Sequence, residues 1–185
     1  RPVSESKWDQ IVLKMINNNA LANDEKEVVE GFTIFEGKAM CGSCHTGSLY
    51  SDFSFHNTAM PKNTILGVEG GRYEALIKLK DQEFGCFSNF SDAEHVDCKR
   101  KLNVSHDLEA NFGAFKTPIL RGVSKKTKLG HSGQFDSLEE MILHYQKAPT
   151  GSHGKLFGVR TFSELKPFEL TPKELDSLLA FLRAI

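Results

Sequence analysis

The chain has 185 residues, 39% of them hydrophobic, with 23 basic and 24 acidic side chains and a formal net charge of −1. That length suits one domain with room for a real core, and the charge balance gives no reason to expect nucleic acid or an anionic membrane surface as a partner. No run of about 18 apolar residues occurs, so no membrane-spanning helix is expected.

The chain opens in polar sequence, "RPVSESKWDQ", without a signal-peptide pattern at Arg1. An exported protein would therefore be the mature form or a fragment. Ser4 is the expected N-cap of a first helix, with Trp8, Ile11, Val12 and Met15 on one face. A second helix is expected from Asn23 or Asp24. Acids fill its first turn, and Val28, Val29, Phe32 and Phe35 recur at helical spacing. It leads straight into "CGSCH", Cys41 to His45.

Cys-x-x-Cys-His is the attachment sequence for a covalent c-type haem. Two thiols at this spacing reach the two vinyl groups of one porphyrin, and the adjacent histidine then lies under the iron. Cys41 and Cys44 are the expected thioether links and His45 the proximal ligand of one haem c. A thioredoxin-like dithiol would need a βαβ surround, which this sequence lacks.

From Ser48 to Gly71 the chain is loop-like, rich in Gly, Asn, Pro and Ser. A short helix is expected over Tyr73 to Lys80. Residues 81–112 are polar and irregular and hold Cys86 and Cys98. Together with Cys41 and Cys44 these could form a four-thiolate zinc or iron–sulfur site, but the wide second spacing argues against it. A disulfide between Cys86 and Cys98 is the simpler reading. It would clamp a long excursion and imply an oxidising compartment.

"SLEEMILHY" opens with a capping box, Ser137 and Glu140, and puts Leu138, Met141, Ile142 and Tyr145 on one face. After the loop "APTGSHG", "LTPKELDSLLAFLRAI" reads as the last helix, with Thr171 as N-cap and Pro172 in the first turn. Leu175, Leu178, Leu179 and Leu182 form its expected buried stripe. Arg121 is a candidate partner for a haem propionate, because its planar fork suits a carboxylate. His56 and His131 are candidates for backbone or propionate hydrogen bonds. His95, His106 and His153 sit in polar loops and are expected to be solvated. Phe35 and Phe115 are expected against the porphyrin. The fold class is all-α: a single cytochrome c-like haem domain over 1–185, with long loops. Its parts are a haem loop at 41–57, the excursion at about 81–112, a helix at 137–147 and a terminal helix at 171–184.

Several stretches together resemble the bacterial di-haem cytochrome c peroxidase and MauG-like family. They are "CGSCHTGSLYSDFSFHNTAMP", "FKTPILRGV", "HSGQFDSLEEMILHY", "HYQKAP" and the terminal helix, in the family's order. The resemblance covers most of residues 24–185 and corresponds to the family's C-terminal haem domain. It implies an exported, periplasmic redox protein that works with a redox partner and a second haem-bearing chain or domain, at which peroxide would react. It also implies a sixth iron ligand at Tyr145, where peroxidases carry Met and MauG-like proteins Tyr. Met141, one turn earlier on the same face, is the rival. A phenolate is a hard anion that favours ferric iron, whereas a thioether favours ferrous iron. The family's calcium site uses carbonyls ahead of His131. Lys126 and Lys128 argue against one here. With Tyr145 bound, this chain alone would have no open iron position, so peroxidase-type turnover would need the second haem. The alternative is a stand-alone mono-haem electron carrier with no turnover of its own.

Overall fold

A computed structural model describes residues 5–63, 65–80, 82–94, 97–98, 111–149 and 163–185. His95, His106, His153 and Ser4 lie outside the described residues. The chain divides into two compact units. The first comprises residues 1–54, 117–147 and 166–185, and the second 55–116 and 148–165.

The first unit holds four of the five α-helices found among the described residues: α1 (Lys7–Ile16), α2 (Asn23–Glu36), α4 (Leu138–Lys147) and α5 (Pro172–Ala184). The N-cap of α1 is Ser6, two residues after the expected Ser4. Its hydroxyl accepts from the Asp9 N–H, and Asp9 reaches back to the Ser6 N–H to close the box. The N-cap of α2 is Ala22, not Asn23 or Asp24. With no side chain to offer, Ala22 donates its own N–H to Glu25 at 2.9 Å. The cap of α5 is the expected one: Thr171, with Pro172 and Glu174 behind it.

The core of this unit is the crossing of α2 and α5. Val28 and Phe35 are buried on α2 as expected and Gly31 and Ile34 join them, while the expected Val29 and Phe32 are half-buried. Gly31 is the contact point. A Cβ there would meet the Ser177 carbonyl oxygen at 1.9 Å and the Phe181 Cβ at 2.8 Å. Only a residue without a side chain lets the two backbones approach this closely. Leu178, Leu179 and Leu182 are buried as expected, and Ser177 and Phe181 join them while Leu175 stays half-exposed. Phe181 is ringed by Trp8 at 5.2 Å, Phe35 at 5.1 Å, Phe32 at 5.4 Å and Tyr50 at 5.8 Å. Phe35 therefore packs into this aromatic cluster.

The second unit contains α3 (Arg72–Lys80) and a two-stranded antiparallel ribbon, β1 (Phe55–His56) and β2 (Phe115–Lys116), with His56 opposite Phe115. Polar clamps hold it. The Asn57 side chain donates to the Phe112 carbonyl at 2.9 Å and accepts from the Ala59 N–H at 2.9 Å. Glu164 accepts from the Asn57 N–H at 3.0 Å, while its own N–H donates to the Asn57 carbonyl at 2.8 Å. Cys86 and Cys98 are joined in a disulfide with their Cα atoms 5.7 Å apart. That bond removes two of the four thiols a zinc or iron–sulfur site would need. Among the described residues no cluster of three or more His, Cys, Asp or Glu side chains could hold a metal ion, and no helix is long and apolar enough to cross a membrane.

Candidate functional site

The second helix ends at Gly37, and the chain turns through Met40 into a 3₁₀ turn, Cys41–Ser43. Neither Cys41 nor Cys44 forms a disulfide. Local burial pushes the Cys41 thiol up to about 12, so it stays protonated at neutral pH. The turn is closed by the His45 N–H donating to the Cys41 carbonyl at 2.9 Å. Both sulfurs and the imidazole thus come from one tight turn at the end of a helix that the α2–α5 crossing holds in place.

The imidazole is oriented from behind. His45 Nδ1 lies 2.8 Å from the Tyr50 carbonyl oxygen. A carbonyl only accepts, so Nδ1 carries the proton and Nε2 is the nitrogen left for a metal. The donor set fits a covalent haem: two thiols outside any disulfide at the attachment spacing, and a histidine whose tautomer suits axial ligation. Beside His45 an apolar cleft of about 560 Å³ runs between Trp8, Val12, Met15, Val29, Phe32 and Tyr50.

The loop that presents the Tyr50 carbonyl is strained. Met40, Tyr50 and Phe53 have φ of +53°, +52° and +57°, and Gly47 has +72°. Non-glycine residues hold such angles only where their surroundings over-determine them. Here the surroundings are the segment Thr117–Arg121, which runs along the loop as a brace. Thr117 N–H donates to the Ser54 carbonyl at 2.9 Å, and Ser51 Oγ donates to the Thr117 carbonyl at 2.8 Å. Leu120 N–H reaches the Leu49 carbonyl at 3.3 Å, and Arg121 Nε the Ser48 carbonyl at 2.9 Å. The "TPILR" stretch is the spine of this loop.

The carboxylate that Arg121 grips belongs to Asp9, at 2.7 and 2.8 Å through its two terminal nitrogens. That fork, with a smaller contribution from the Ser6 hydrogen bonds, lowers the Asp9 pKa to about 2. His56 binds Glu164, with Nδ1 2.6 Å from the carboxylate, and His131 lies in an exposed turn beside Gln134. Tyr145 is half-buried on α4, its ring 5.7 Å from that of His144. Only Ile142 of the α4 stripe is fully buried, while Leu138, Met141 and Tyr145 are half-exposed. Cys41, Cys44, His45, Arg121, Met141 and Tyr145 all belong to the first unit. Lys128, ahead of His131, pairs with Asp136.

Sequence reasoning missed Tyr50 and Asp9. Asp9 carried a signal in the box Ser6-x-x-Asp9, but nothing local reveals that its carboxylate meets an arginine 112 positions away. Tyr50 acts through its backbone, which leaves no mark on residue type.

No family model matches the chain. Individual proteins do. The chain is 31% identical over 157 residues to a cytochrome-c peroxidase, IdrP2, of Pseudomonas sp. (strain SCT), which covers 85% of this chain and 39% of that protein. It is 28% identical over 169 residues to the methylamine utilization protein MauG of Methylorubrum extorquens, covering 91% of this chain and 36% of MauG. The fold matches the diheme peroxidase BthA of Burkholderia thailandensis at a TM-score of 0.58 and 22% identity, over 97% of this chain and 46% of that one. By sequence and by fold the chain is similar to MauG-like di-haem peroxidases. A MauG-like protein associated with microbial copper homeostasis aligns at a TM-score of 0.57 and 21% identity, over 97% of this chain and 51% of that one. The chain spans about two fifths of the length of the curated family members it matches, which is consistent with one half of such a protein. The expected all-α, cytochrome c-like fold is the one these structures share.

Proposed function

We propose that this chain is the C-terminal haem half of a di-haem, peroxidase-type oxidoreductase, with one haem c bound through Cys41, Cys44 and His45 and with Tyr145 as the distal ligand. The observation that carries the reading is the Cys41–His45 turn, in which both thiols stand outside any disulfide and the His45 Nδ1–H is held by the Tyr50 carbonyl. When bound, the group supplies one-electron redox chemistry at iron.

The chain's own residues do the rest. Cys41 and Cys44 fix the group against loss. The Tyr50 carbonyl fixes the tautomer of His45 and raises its basicity as a ligand. Tyr145 offers a hard oxygen that stabilises ferric iron against ferrous and lowers the potential. If His45 and Tyr145 both held the iron, this chain would offer peroxide no open position, and peroxide would react at a haem on a second domain or chain. The half described here would pass electrons to it or store an oxidising equivalent. The protein would reside in the periplasm, where the Cys86–Cys98 disulfide suits the redox conditions. No calcium site is proposed, since Lys126 and Lys128 flank the relevant carbonyls and Lys128 already holds Asp136.

Tyr145→Phe keeps the ring and removes only the oxygen. The spectrum of the ferric protein should change to that of a five-coordinate or water-ligated haem. Tyr145→Met should raise the reduction potential, as exchange of an anion for a thioether demands. An unchanged spectrum in Tyr145→Phe would give the sixth position to another group, Met141 first. The native preparation should carry a second haem-bearing chain or domain. Its absence from the intact mass would favour a stand-alone electron carrier.

A further inference from the structure

Arg121 and Asp9 form an ion pair of an unusual kind. Exposed pairs are worth little, because solvent screens them and two long side chains must be ordered. This one is bidentate, and the two side chains are only 15% and 30% exposed. Asp9 Oδ2 also accepts from the Ser6 N–H and the Ser6 hydroxyl, both at 2.9 Å, and Arg121 also donates to Ser6 Oγ at 2.8 Å. The guanidinium is thus bound to the first turn of α1 on one side. On the other it holds the Ser48 carbonyl through Nε, and its Cζ stands 5.4 Å over the Tyr50 ring.

The Tyr50 ring is confined as well. It is edge-on to Phe35 at 6.0 Å and Phe181 at 5.8 Å. A residue with φ of +52°, its ring locked on several sides, points its carbonyl in one direction only. That carbonyl is the partner of His45 Nδ1. A continuous set of contacts therefore runs from Asp9 through Arg121 to the Ser48–Tyr50 turn and on to the imidazole.

We propose that the Arg121–Asp9 pair is a positioning device for His45: by fixing the Ser48–Tyr50 turn it sets the orientation of the imidazole and the strength of its Nδ1–H bond. The proposal rests on the reading of His45 as the iron ligand. Its consequence is chemical. A well-aligned Nδ1–H···O=C bond makes the imidazole a stronger donor, which favours ferric iron. Loosening the turn weakens that donation and raises the reduction potential.

The discriminating variant is Arg121→Lys in the haem-bearing protein. Lysine keeps the charge but cannot span Asp9 and Ser48 at once, since it lacks the fork. Asp9→Asn is the companion, and Lys38→Met, which breaks the exposed Lys38–Glu174 pair of the same unit, is the control. Both test variants should raise the potential and broaden the ferric EPR signal into more than one species. The amides of Ser51 and Asp52, which donate to the Thr46 and Cys44 carbonyls, should exchange several-fold faster. The control should change none of these. A potential unchanged in Arg121→Lys but raised in Asp9→Asn, with exchange unaltered, would mean that the pair acts by charge alone and would overturn the proposal. No change in either variant would overturn it too. Amide exchange reports on the loop whether or not iron is bound. Faster exchange in a preparation without covalent haem would thus support the loop-fixing step and refute only the iron reading.

Discussion

The two units are held together by different physics. In the first, burial dominates: two helices cross at Gly31 and four aromatic rings close around Phe181, which is fully buried. In the second, short strands, an Asn57–Glu164 clamp and a disulfide take that place, and Phe84 and Phe90 stand 80% and 72% exposed. Apolar packing places backbone to within tenths of an ångström across a whole helix face. Polar clamps and a cross-link fix a few points and leave the chain between them to its loops. The attachment turn lies on the better-determined unit, where two sulfurs and an imidazole can be presented together.

The largest effect should come from filling the crossing. Gly31→Val would drive a branched side chain into the Ser177 carbonyl, whereas overpacking of ordinary core sites costs ~1–3 kcal/mol. The backbone contact puts this site at or beyond the top of that range. Thermal unfolding followed at the haem absorption should show a large fall in midpoint. Reduction of the Cys86–Cys98 bridge should have a smaller effect. A loop of this size contributes ~3 kcal/mol in the chain-entropy picture, and the loss should be confined to protection of the second unit. Alkylation under denaturing, non-reducing conditions should label neither cysteine. Labelling of both would remove the contrast between the units.

The smallest effect is electrostatic and sharpens the comparison from the first unit's side. Asp9 is held well below its ordinary value, to about 2, by Arg121. A depressed carboxylate contributes stability above its unfolded pKa and loses it as pH falls through the folded value. Acid titration should therefore weaken the first unit progressively from about pH 4 down to about pH 2, and Asp9→Asn should flatten that slope.

How far the sequence could be read follows the same division. The terminal helix was legible down to its cap, because Thr171, Pro172 and Glu174 are local signals and Leu178, Leu179 and Leu182 keep the helical period. The face of α2 was read in part: Val28 and Phe35 are buried as expected, but the key contact, Gly31, was missed, since a glycine adds nothing to a hydrophobic pattern. The start of α2 was misread for a related reason: Ala22 caps with backbone alone. The proposed attachment residues Cys41, Cys44 and His45 stand out in the sequence because covalent haem chemistry would dictate their spacing. The support behind them was not. The Tyr50 carbonyl, the Thr117–Arg121 brace and the Asp9 fork are backbone or long-range features, which residue type and periodicity do not encode.

The proposed redox role of the chain requires a porphyrin covalently fixed at Cys41 and Cys44. Acid–acetone extraction followed by intact mass tests this directly. The colour should stay with the protein, and the mass should exceed that of the chain by one haem. Replacement of both cysteines by serine should abolish the gain. Colour passing into the solvent, with the chain left at its bare mass, would contradict it.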